Sequence, residues 1–193
     1  ISMTEPDTIN IANRLFQHNA LTLSIGEKIT ITNPETGGNM ILALPAFGAV
    51  VSNLPFVPFE IIPADDKDEI SKMPFVDILD GRSDLYCYIA TKIADVIKPE
   101  GTLGIIVSNS WLGTNAGIKL MEALKQEYNI KQVHISGQGR WFKNADVVTT
   151  ILVLEKKKNS NCVDTDFWLW QLSLEQLAEN PDAENTLVNS ALL

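Results

Sequence analysis

The sequence has few of the residues that build metal sites, disulfide frameworks or membrane spans. Its two cysteines, Cys87 and Cys162, lie far apart and have neither metal nor redox spacing. Its two histidines, His18 and His134, share no spacing with other ligand residues, so we expect both to be structural and expect no metal site. No apolar run approaches the ~20 residues of a membrane helix, and residues 1–7 lack the basic start of a signal peptide. We therefore expect a cytoplasmic protein with reduced thiols and no membrane partner.

Positive charge is also scarce, with 15 lysines and arginines against 24 aspartates and glutamates, and a net charge of −9. A protein that holds a nucleic-acid backbone by itself needs a basic face. The one run of basic residues here is Lys156-Lys157-Lys158. If nucleic acid is the substrate, most of the contacts to its backbone must come from other regions.

What the sequence does contain is an alternation of apolar strands with amphipathic segments of helix length, in 193 residues of which 45% are hydrophobic. The patterns predict strands at 1–3, 28–32, 47–52, 102–107, 130–135, 147–154 and 167–172, and helices at 5–18, 83–97, 111–128 and 174–179. Ser83 is the predicted cap of the second helix. Residues 54–79 are predicted to be a long irregular segment whose acidic run, 65–69, is a solvated loop.

This order of elements predicts the topology of the sheet. Strands separated by helices indicate a parallel sheet with right-handed crossovers. The connection between 135 and 147 is too short for a crossover helix, so the strand that follows it should return antiparallel.

One strand presents a candidate site. The apolar run 47–51 predicts a buried central strand, which stops at Asn53 because Pro55 cannot continue regular pairing. The Asn53 amide is then presented at the carboxyl end of the strand, with the ring of Phe56 close behind it. Ligands of open α/β sheets bind at that edge. Taken alone, the segment is more simply explained as a strand that runs into a proline turn.

Four segments, in one order and spacing, make the functional interpretation more specific. They are Asn53-Leu54-Pro55-Phe56; Asp84-Leu85-Tyr86 at a helix start; the turn and buried strand 98–107 with Ser110-Trp111-Leu112; and Trp141-Phe142-Lys143-Asn144-Ala145 before a strand. Together they resemble the catalytic domain of N6-adenine DNA methyltransferases of type I and type IIG restriction-modification systems. In that family the first segment is Asn-Pro-Pro-Tyr/Phe, and the last carries a second base-stacking aromatic residue. The resemblance covers most of residues 1–157.

The resemblance implies an α/β fold with the Rossmann-like sheet of class I S-adenosylmethionine-dependent methyltransferases. That sheet would be mostly parallel with one antiparallel strand, and its N-terminal strand would be missing from this chain. The resemblance also implies S-adenosyl-L-methionine as the methyl donor and a flipped-out adenine as the acceptor. Tyr86 and Trp111 are expected to be core residues and not site residues.

The family's site residues are transferred to the matching positions of this chain. The catalytic loop would be Asn53, Leu54, Pro55 and Phe56, in which the Asn53 side-chain oxygen and the Leu54 carbonyl accept hydrogen bonds from adenine N6. Phe56 and Phe142 would sandwich the base, although a plain packing role for Phe142 is an equal alternative. Leu54 departs from the family pattern, because it stands where the family has proline.

The resemblance matches three positions to the cofactor in addition to Asn53. Met3 and Glu5 fall where the family has an acidic residue for the cofactor ribose, and Asn33 falls where it often has an aspartate that reads the cofactor adenine. The family's glycine-rich cofactor loop is not in this sequence. We therefore expect residues 1–160 to be a partial catalytic domain and residues 161–193 to lead toward a missing target-recognition domain. Double-stranded DNA would be bound through regions outside this chain, and a specificity subunit or a fused nuclease would be a partner.

Two other interpretations stay open from the sequence. RNA-guanine and protein-glutamine methyltransferases use the same type of Asn-Pro-Pro-aromatic loop, although residues 110–112 and 142–154 favour the DNA enzymes. A methyltransferase-like scaffold with a degraded site, which serves only assembly, is favoured by Leu54 and Met3. The leading prediction is adenine-N6 DNA methylation in a restriction-modification or phage-defence system.

Overall fold

The computed structural model describes residues 16–32, 36–142, 148–158 and 164–171, together with the single residues Ser173, Gln176 and Glu179. Its strands are β1 Lys28–Thr32, β2 Asn39–Ala43, β3 Phe47–Asn53, β4 Ile97–Ser108, β5 Tyr128–Ser136, β6 Thr149–Lys156 and β7 Asp166–Trp170. Its α-helices are α1 Ala64–Ser71, α2 Leu85–Lys92 and α3 Asn115–Glu127, and short 3-10 helices lie at Phe59–Ile61, Ile93–Val96 and Asn109–Leu112. No helix in these described ranges is long and apolar enough to cross a membrane.

The main element is a five-stranded sheet in the order β3-β4-β6-β5-β7. β3 is parallel to β4, β7 is parallel to β5, and β6 is antiparallel to both of its neighbours. The predicted α/β sheet, mostly parallel with one antiparallel strand, is therefore confirmed. The antiparallel strand is the one that follows the short connection after β5, as the length of that connection predicted.

The core lies on one face of this sheet. Alternate residues of the central strands are almost completely buried there, namely Leu103, Ile105 and Val107 of β4 and Leu152 and Leu154 of β6. They belong to one apolar cluster with residues of α2 and α3, and the Tyr128 hydroxyl at the start of β5 donates to the Ala90 carbonyl of α2 at 3.4 Å. Burying each of these side chains contributes ~1.5–3 kcal/mol, so this cluster holds the sheet against its helices.

Helix α2 begins one residue later than predicted. Asp84 occupies the N-cap position and α2 ends at Lys92, after which the chain continues as the 3-10 helix Ile93–Val96. The prediction that Ser83 caps the helix is wrong, because the Ser83 hydroxyl donates to the Leu79 carbonyl at 2.8 Å. The Ser83 N–H donates to the Tyr88 hydroxyl at 3.1 Å, so Ser83 is tied to its neighbours on both sides.

Helix α3 begins at Asn115 and not at Trp111 as predicted. Its cap is Thr114, whose hydroxyl accepts a hydrogen bond from the Gly117 N–H at 3.1 Å. Trp111 lies in the preceding 3-10 helix and is 5% exposed, in agreement with its expected place in the core. A β-carbon at Gly117 would lie 2.0 Å from the Trp111 carbonyl oxygen. Only glycine therefore allows the tryptophan turn to pack this closely on the helix.

The region 54–79 is more ordered than predicted. The acidic run forms helix α1, with Asp65 and Asp66 in its first turn and Ile70 buried. Carboxylates near the first turn interact favourably with the positive end of a helix, so the charges that suggested a solvated loop support a helix instead.

The strand predicted at 28–32 is present as β1, but it does not join the main sheet. β1 pairs antiparallel with β2, which was not predicted, and the two form a separate hairpin. Asn33, which follows β1 in the sequence, lies outside the described residues, so its predicted cofactor role stays a prediction.

β3 has the predicted position in sequence but not the predicted environment. Within the described part of the chain it pairs only with β4, so it is an edge strand and not a central one. Val51 is 88% exposed, which shows that the outer face of β3 is not buried.

The remaining predicted elements agree with the structure where it describes them. The strands predicted at 130–135, 147–154 and 167–172 correspond to β5, β6 and β7. Residues 16–19 are not helical, so the predicted end of the first helix near His18 is wrong. The strand at 1–3 and the rest of that first helix lie outside the described residues, as does almost all of the helix at 174–179. The domain boundary at 160 stays a prediction, and β7, which follows it, pairs with β5 in the main sheet.

Candidate active site at the carboxyl edge of the sheet

The candidate site lies at the edge of the sheet where the parallel strands end. β3, β4, β5 and β7 share a direction, so their last residues, Asn53, Ser108, Ser136 and Trp170, lie along one edge. Two loops leave this edge with candidate site residues. We call residues 53–57 the Asn53 loop and residues 137–142 the Phe142 loop.

Asn53 is the last residue of β3 and pairs in register with Ile106 of β4. Its side chain is exposed and makes no hydrogen bond with any residue that the structure describes. The amide is therefore fixed in place through the backbone of β3, and no described residue occupies its oxygen and nitrogen, so that a ligand can bind them.

Leu54 anchors the Asn53 loop in the core, where its side chain is only 3% exposed. Its carbonyl oxygen accepts no hydrogen bond within the described part of the chain, whereas the next carbonyl, that of Pro55, accepts one from the Val57 N–H at 3.1 Å. The Val57 carbonyl in turn accepts a hydrogen bond from the Leu85 N–H at 2.9 Å. The loop is thus held at both ends, and the Leu54 carbonyl is left available between them.

Phe56 is partly buried and meets the ring of Tyr86 edge-on, with the ring centroids 5.4 Å apart and the planes at 76°. Tyr86 is 4% exposed, as expected for a core residue. This T-shaped arrangement is a favourable geometry for aromatic pairs. Tyr86 therefore supports the ring that is predicted to stack on the target base.

Asp84, to which the family resemblance assigns no role, is a further feature of this edge. It lies at the N-cap of α2, next to the hydrogen bond that joins Leu85 to the Asn53 loop. Partial burial raises the pKa of the Asp84 carboxyl, and the negative charge of Glu60 raises it further. Glu60 of the 3-10 helix Phe59–Ile61 therefore lies near enough to Asp84 for its charge to act, which the separation of the two residues in the sequence does not reveal.

The Phe142 loop is held by β7. The Gly137 N–H donates to the Trp170 carbonyl at 2.9 Å, and the Gln138 side-chain amide donates to the Gln171 carbonyl at 2.8 Å. The ring of Trp141 meets that of Trp170 edge-on at 6.2 Å. Phe142 follows directly and is 41% exposed. Its ring is therefore carried at the surface by a loop with a fixed base.

His134 lies under this loop and is structural, as expected. The indole N–H of Trp170 donates to His134 Nδ1 at 3.1 Å, and His134 Nε2 lies 3.2 Å from Gln132 Oε1. Because an indole can only donate, Nδ1 carries no proton and the ring is neutral with its proton on Nε2. Burial lowers the pKa of His134, in agreement with this neutral form.

The structure thus brings the described members of the predicted site to one edge. Asn53, Phe56 and Phe142 all lie there, on two different loops. Met3, Glu5 and Asn33, which the resemblance assigns to the cofactor, lie outside the described residues. Trp170 was missed, because its contribution depends on a backbone carbonyl and a ring that are distant in sequence from the loop they hold.

The basic run 156–158 is at the opposite edge and is already engaged. Lys156 pairs with Glu127, Lys158 pairs with Glu100 at 3.0 Å, and Lys157 donates to a backbone carbonyl. These lysines lie at and just after the end of the antiparallel β6, which places them away from the Asn53 loop. They do not form a free basic surface beside the candidate site.

The described ranges hold no group of three or more histidine, cysteine, aspartate or glutamate residues that could bind a metal ion. The polar groups at the candidate site include the Asn53 amide and the Leu54 backbone carbonyl, with the Asp84 carboxyl next to the Asn53 loop. These groups can accept hydrogen bonds from an amine, and the aromatic rings beside them can stack on a flat ligand.

The arrangement has the fold of class I S-adenosylmethionine-dependent methyltransferases. It is similar to a Listeria monocytogenes protein described as such a methyltransferase, with a TM-score of 0.58 and 18% identity over 77% of this chain and 42% of that one. It is also similar to the type IIG restriction endonuclease BpuSI, with a TM-score of 0.55 and 14% identity over 90% of this chain and 18% of that one. At these identities the similarity concerns the fold alone.

The sequence comparisons identify the family. The model of the Eco57I restriction-modification methylases matches residues 7–142. The chain therefore belongs to the Eco57I restriction-modification methylase family. It is 28% identical over 116 residues to the type II methyltransferase M.BanIII of Aneurinibacillus aneurinilyticus, which is 60% of this chain and 19% of that protein. The chain thus spans only a small part of the length of this curated relative.

Proposed function

We propose that the protein containing this chain is a DNA methyltransferase that transfers a methyl group to adenine N6, as part of a restriction-modification or phage-defence system. The observation that carries the proposal is a pair of acceptors at the carboxyl edge, the Asn53 side-chain amide and the Leu54 carbonyl, that have no hydrogen-bond partner among the described residues. They lie beside the partly buried Phe56 ring, in a chain of a restriction-modification methylase family.

The two acceptors suit an exocyclic amine. If the Asn53 side-chain oxygen and the Leu54 carbonyl each accept an N6 hydrogen, the nitrogen lone pair leaves conjugation with the adenine ring and points toward the methyl donor. S-adenosyl-L-methionine supplies the methyl group when it is bound. The contribution of the chain is then positioning and charge distribution, and no strong base is needed before the attack.

The two rings suit a flipped base. An enzyme cannot reach adenine N6 inside a duplex, so the nucleotide must be extruded at a cost of a few kcal/mol. Each stacked aromatic ring returns ~1–3 kcal/mol, so Phe56 and Phe142 together offset the extrusion.

The cofactor roles of Met3, Glu5, Asn33 and Asn53 are part of the same proposal. Asn53 is the one of these that the structure describes, and its exposed, unbonded amide fits a position that faces both donor and acceptor. The acidic chain and its engaged lysines fit a protein whose DNA contacts come from other regions. We therefore propose that double-stranded DNA is bound by regions outside this chain, which are a target-recognition domain or a specificity subunit. A fused nuclease is proposed as a further partner.

Methyl transfer from labelled S-adenosyl-L-methionine tests this function. The intact protein is incubated with double-stranded DNA, RNA and protein substrates, and the labelled DNA is digested to nucleosides. We expect label in N6-methyladenine from double-stranded DNA, and transfer that is ~10²–10³-fold slower with the Asn53→Ala protein. Label in RNA or protein would instead support the related Asn-Pro-Pro-aromatic enzymes. Absence of transfer to every substrate, with S-adenosyl-L-methionine bound, would support a degraded scaffold.

A further inference from the structure

We propose that Trp170 is a positioning residue that holds the Phe142 loop so that the Phe142 ring is presented to the target base. The inference rests on the proposed function, since it concerns how the predicted stacking residue is placed. Trp170 lies in β7, beyond residues 7–142 that the family model matches. The proposed role therefore belongs to a part of the chain that the family pattern does not cover.

Hydrogen bonds to β7 and to its continuation fix the start of the loop. The Gly137 N–H donates to the Trp170 carbonyl at 2.9 Å, and the Gln138 side-chain amide donates to the Gln171 carbonyl at 2.8 Å. The Gln138 N–H also donates to the Ser136 hydroxyl at 3.2 Å. The first residues of the loop are thus tied both to the end of β5 and to the end of β7.

The backbone at Gly137 approaches β7 closely. A β-carbon there would lie 3.0 Å from the Trp170 carbonyl oxygen and 3.5 Å from the Leu169 side chain. Contacts of that length at the carbonyl are tighter than a side chain normally tolerates. A side chain at position 137 would therefore displace the Trp170 carbonyl by a few tenths of an ångström and disturb this hydrogen bond.

A ring contact fixes the end of the loop. Trp141 meets Trp170 with centroids 6.2 Å apart and planes at 72°. Trp141 immediately precedes Phe142, so its position limits where the backbone of Phe142 can lie. The Phe142 ring itself is 41% exposed, which leaves it available to a ligand while the adjacent residue is held.

Trp170 is in turn held by His134. The indole N–H donates to His134 Nδ1 at 3.1 Å, and the two rings stack with centroids 5.7 Å apart and planes at 28°. His134 Nε2 is bonded to Gln132 on the same strand. Trp170 therefore has its ring, its N–H and its carbonyl all engaged, which is the kind of support that keeps a binding residue in its productive geometry.

This arrangement has a physical consequence for base flipping. A free loop would lose conformational entropy each time its aromatic ring ordered on the flipped base, and that loss would subtract from the stacking energy. A loop already tied to β7 avoids most of it. Loosening the contact at Trp170 should therefore weaken stacking without changing Phe142 itself.

Trp170→Leu is the test, and Trp168→Leu is its matched control. Trp168 lies on the same strand and also stacks on His134, at 5.9 Å and 15°, but has no ring contact with Trp141. The affinity of the intact protein is measured, per folded molecule, for a duplex that it methylates. The same duplex with an abasic site in place of the target base is measured in parallel.

We expect Phe142→Ala to lower the affinity for the intact duplex by about 5- to 150-fold. Trp170→Leu should lower the same affinity by at least about fivefold and by no more than Phe142→Ala does. Neither change should weaken binding to the abasic duplex, because there is no base to stack. Trp168→Leu should leave both affinities unchanged, and Phe142→Ala should add little further loss in a Trp170→Leu protein.

Two results would overturn the inference while leaving the proposed function standing. One is a Phe142→Ala loss on the intact duplex with no loss for Trp170→Leu. The other is an equal loss for Trp168→Leu and Trp170→Leu. If Phe142→Ala itself has no effect on the intact duplex, the stacking role within the proposed function fails, and the inference fails with it. Should Trp170→Leu not fold, Gly137→Ala displaces the same carbonyl and is expected to show the same duplex-dependent loss.

Discussion

The two loops that carry the candidate site's aromatic residues are held in different ways. The Asn53 loop is anchored by the buried Leu54 and by the hydrogen bond from Leu85, so it is part of the core. The Phe142 loop has no buried anchor of its own and is held by hydrogen bonds and a ring contact to β7. The first loop suits the chemistry, which needs fixed acceptors. The second suits recognition, which needs an exposed ring on a supported base.

The largest expected effect concerns the core anchor of the first loop. Leu54→Ala should lower the free energy of unfolding by ~2–5 kcal/mol, because it removes a buried side chain and leaves a cavity. Chemical denaturation of the intact protein measures this. Leu54→Pro restores the residue that the family has at this position, and its stability shows whether the buried leucine or the family's proline is the better anchor here. A Leu54→Ala loss below about 0.5 kcal/mol, the range of surface changes, would mean that the loop is not anchored in the core.

The next effect separates chemistry from folding in the same loop. Asn53→Ala should lower the rate of methyl transfer by ~10²–10³-fold, by analogy with the removal of one positioned hydrogen-bonding group at other sites. Stability should hardly change, because the Asn53 side chain has no partner among the described residues. Single-turnover transfer together with calorimetric binding of S-adenosyl-L-methionine is the measurement. Cofactor affinity should fall much less than the rate, and an equal loss of both would show that Asn53 acts mainly on the donor.

Substitution in the Phe142 loop should change DNA affinity and not the stability that Leu54→Ala lowers. Phe142→Ala should weaken binding to DNA with an intact target pair by ~1–3 kcal/mol and leave stability nearly unchanged, because the ring is exposed. The loss should shrink when the target base is mismatched, since part of the extrusion cost is then already removed. Phe142→Trp, the control, should retain activity. A sharp drop in melting temperature with unchanged DNA affinity would instead assign Phe142 to packing.

The two loops also differ in how far the sequence predicts them. The Asn53 loop could be predicted from the sequence because its parts are adjacent: a strand, an amide, a proline and a ring lie within one short segment. The contacts that hold the Phe142 loop could not be predicted, because they include a hydrogen bond from Gly137 to the backbone carbonyl of Trp170. A backbone carbonyl has no signature in the sequence. Tertiary contacts explain the other differences. The hydroxyl of Ser83 bonds to Leu79 and not to the helix start, and β1 pairs with the unpredicted β2.

The smallest effect concerns the support of the second loop. Burial lowers the pKa of His134 in the folded protein, whereas in the unfolded chain it titrates near 6.5. The unfolded state therefore binds more protons between the two pKa values, and stability should fall as the pH drops from about 6.5 through the lower folded-state pKa. Denaturation of the intact protein and of its His134→Gln variant across pH 7.5 to 5 tests this. The variant should show the shallower dependence, and equal slopes would contradict the role of a neutral His134.

The central claim is that both loops act on one flipped base, and a double-mutant cycle tests it most directly. The affinities of wild type, Phe56→Ala, Phe142→Ala and the double variant are measured with a methylatable duplex and with its abasic counterpart. If both rings stack on the same adenine, the two changes should couple by ~0.5–3 kcal/mol on the intact duplex. They should be additive on the abasic one. Additive effects on both duplexes would show that the two rings do not share a base and would contradict the account.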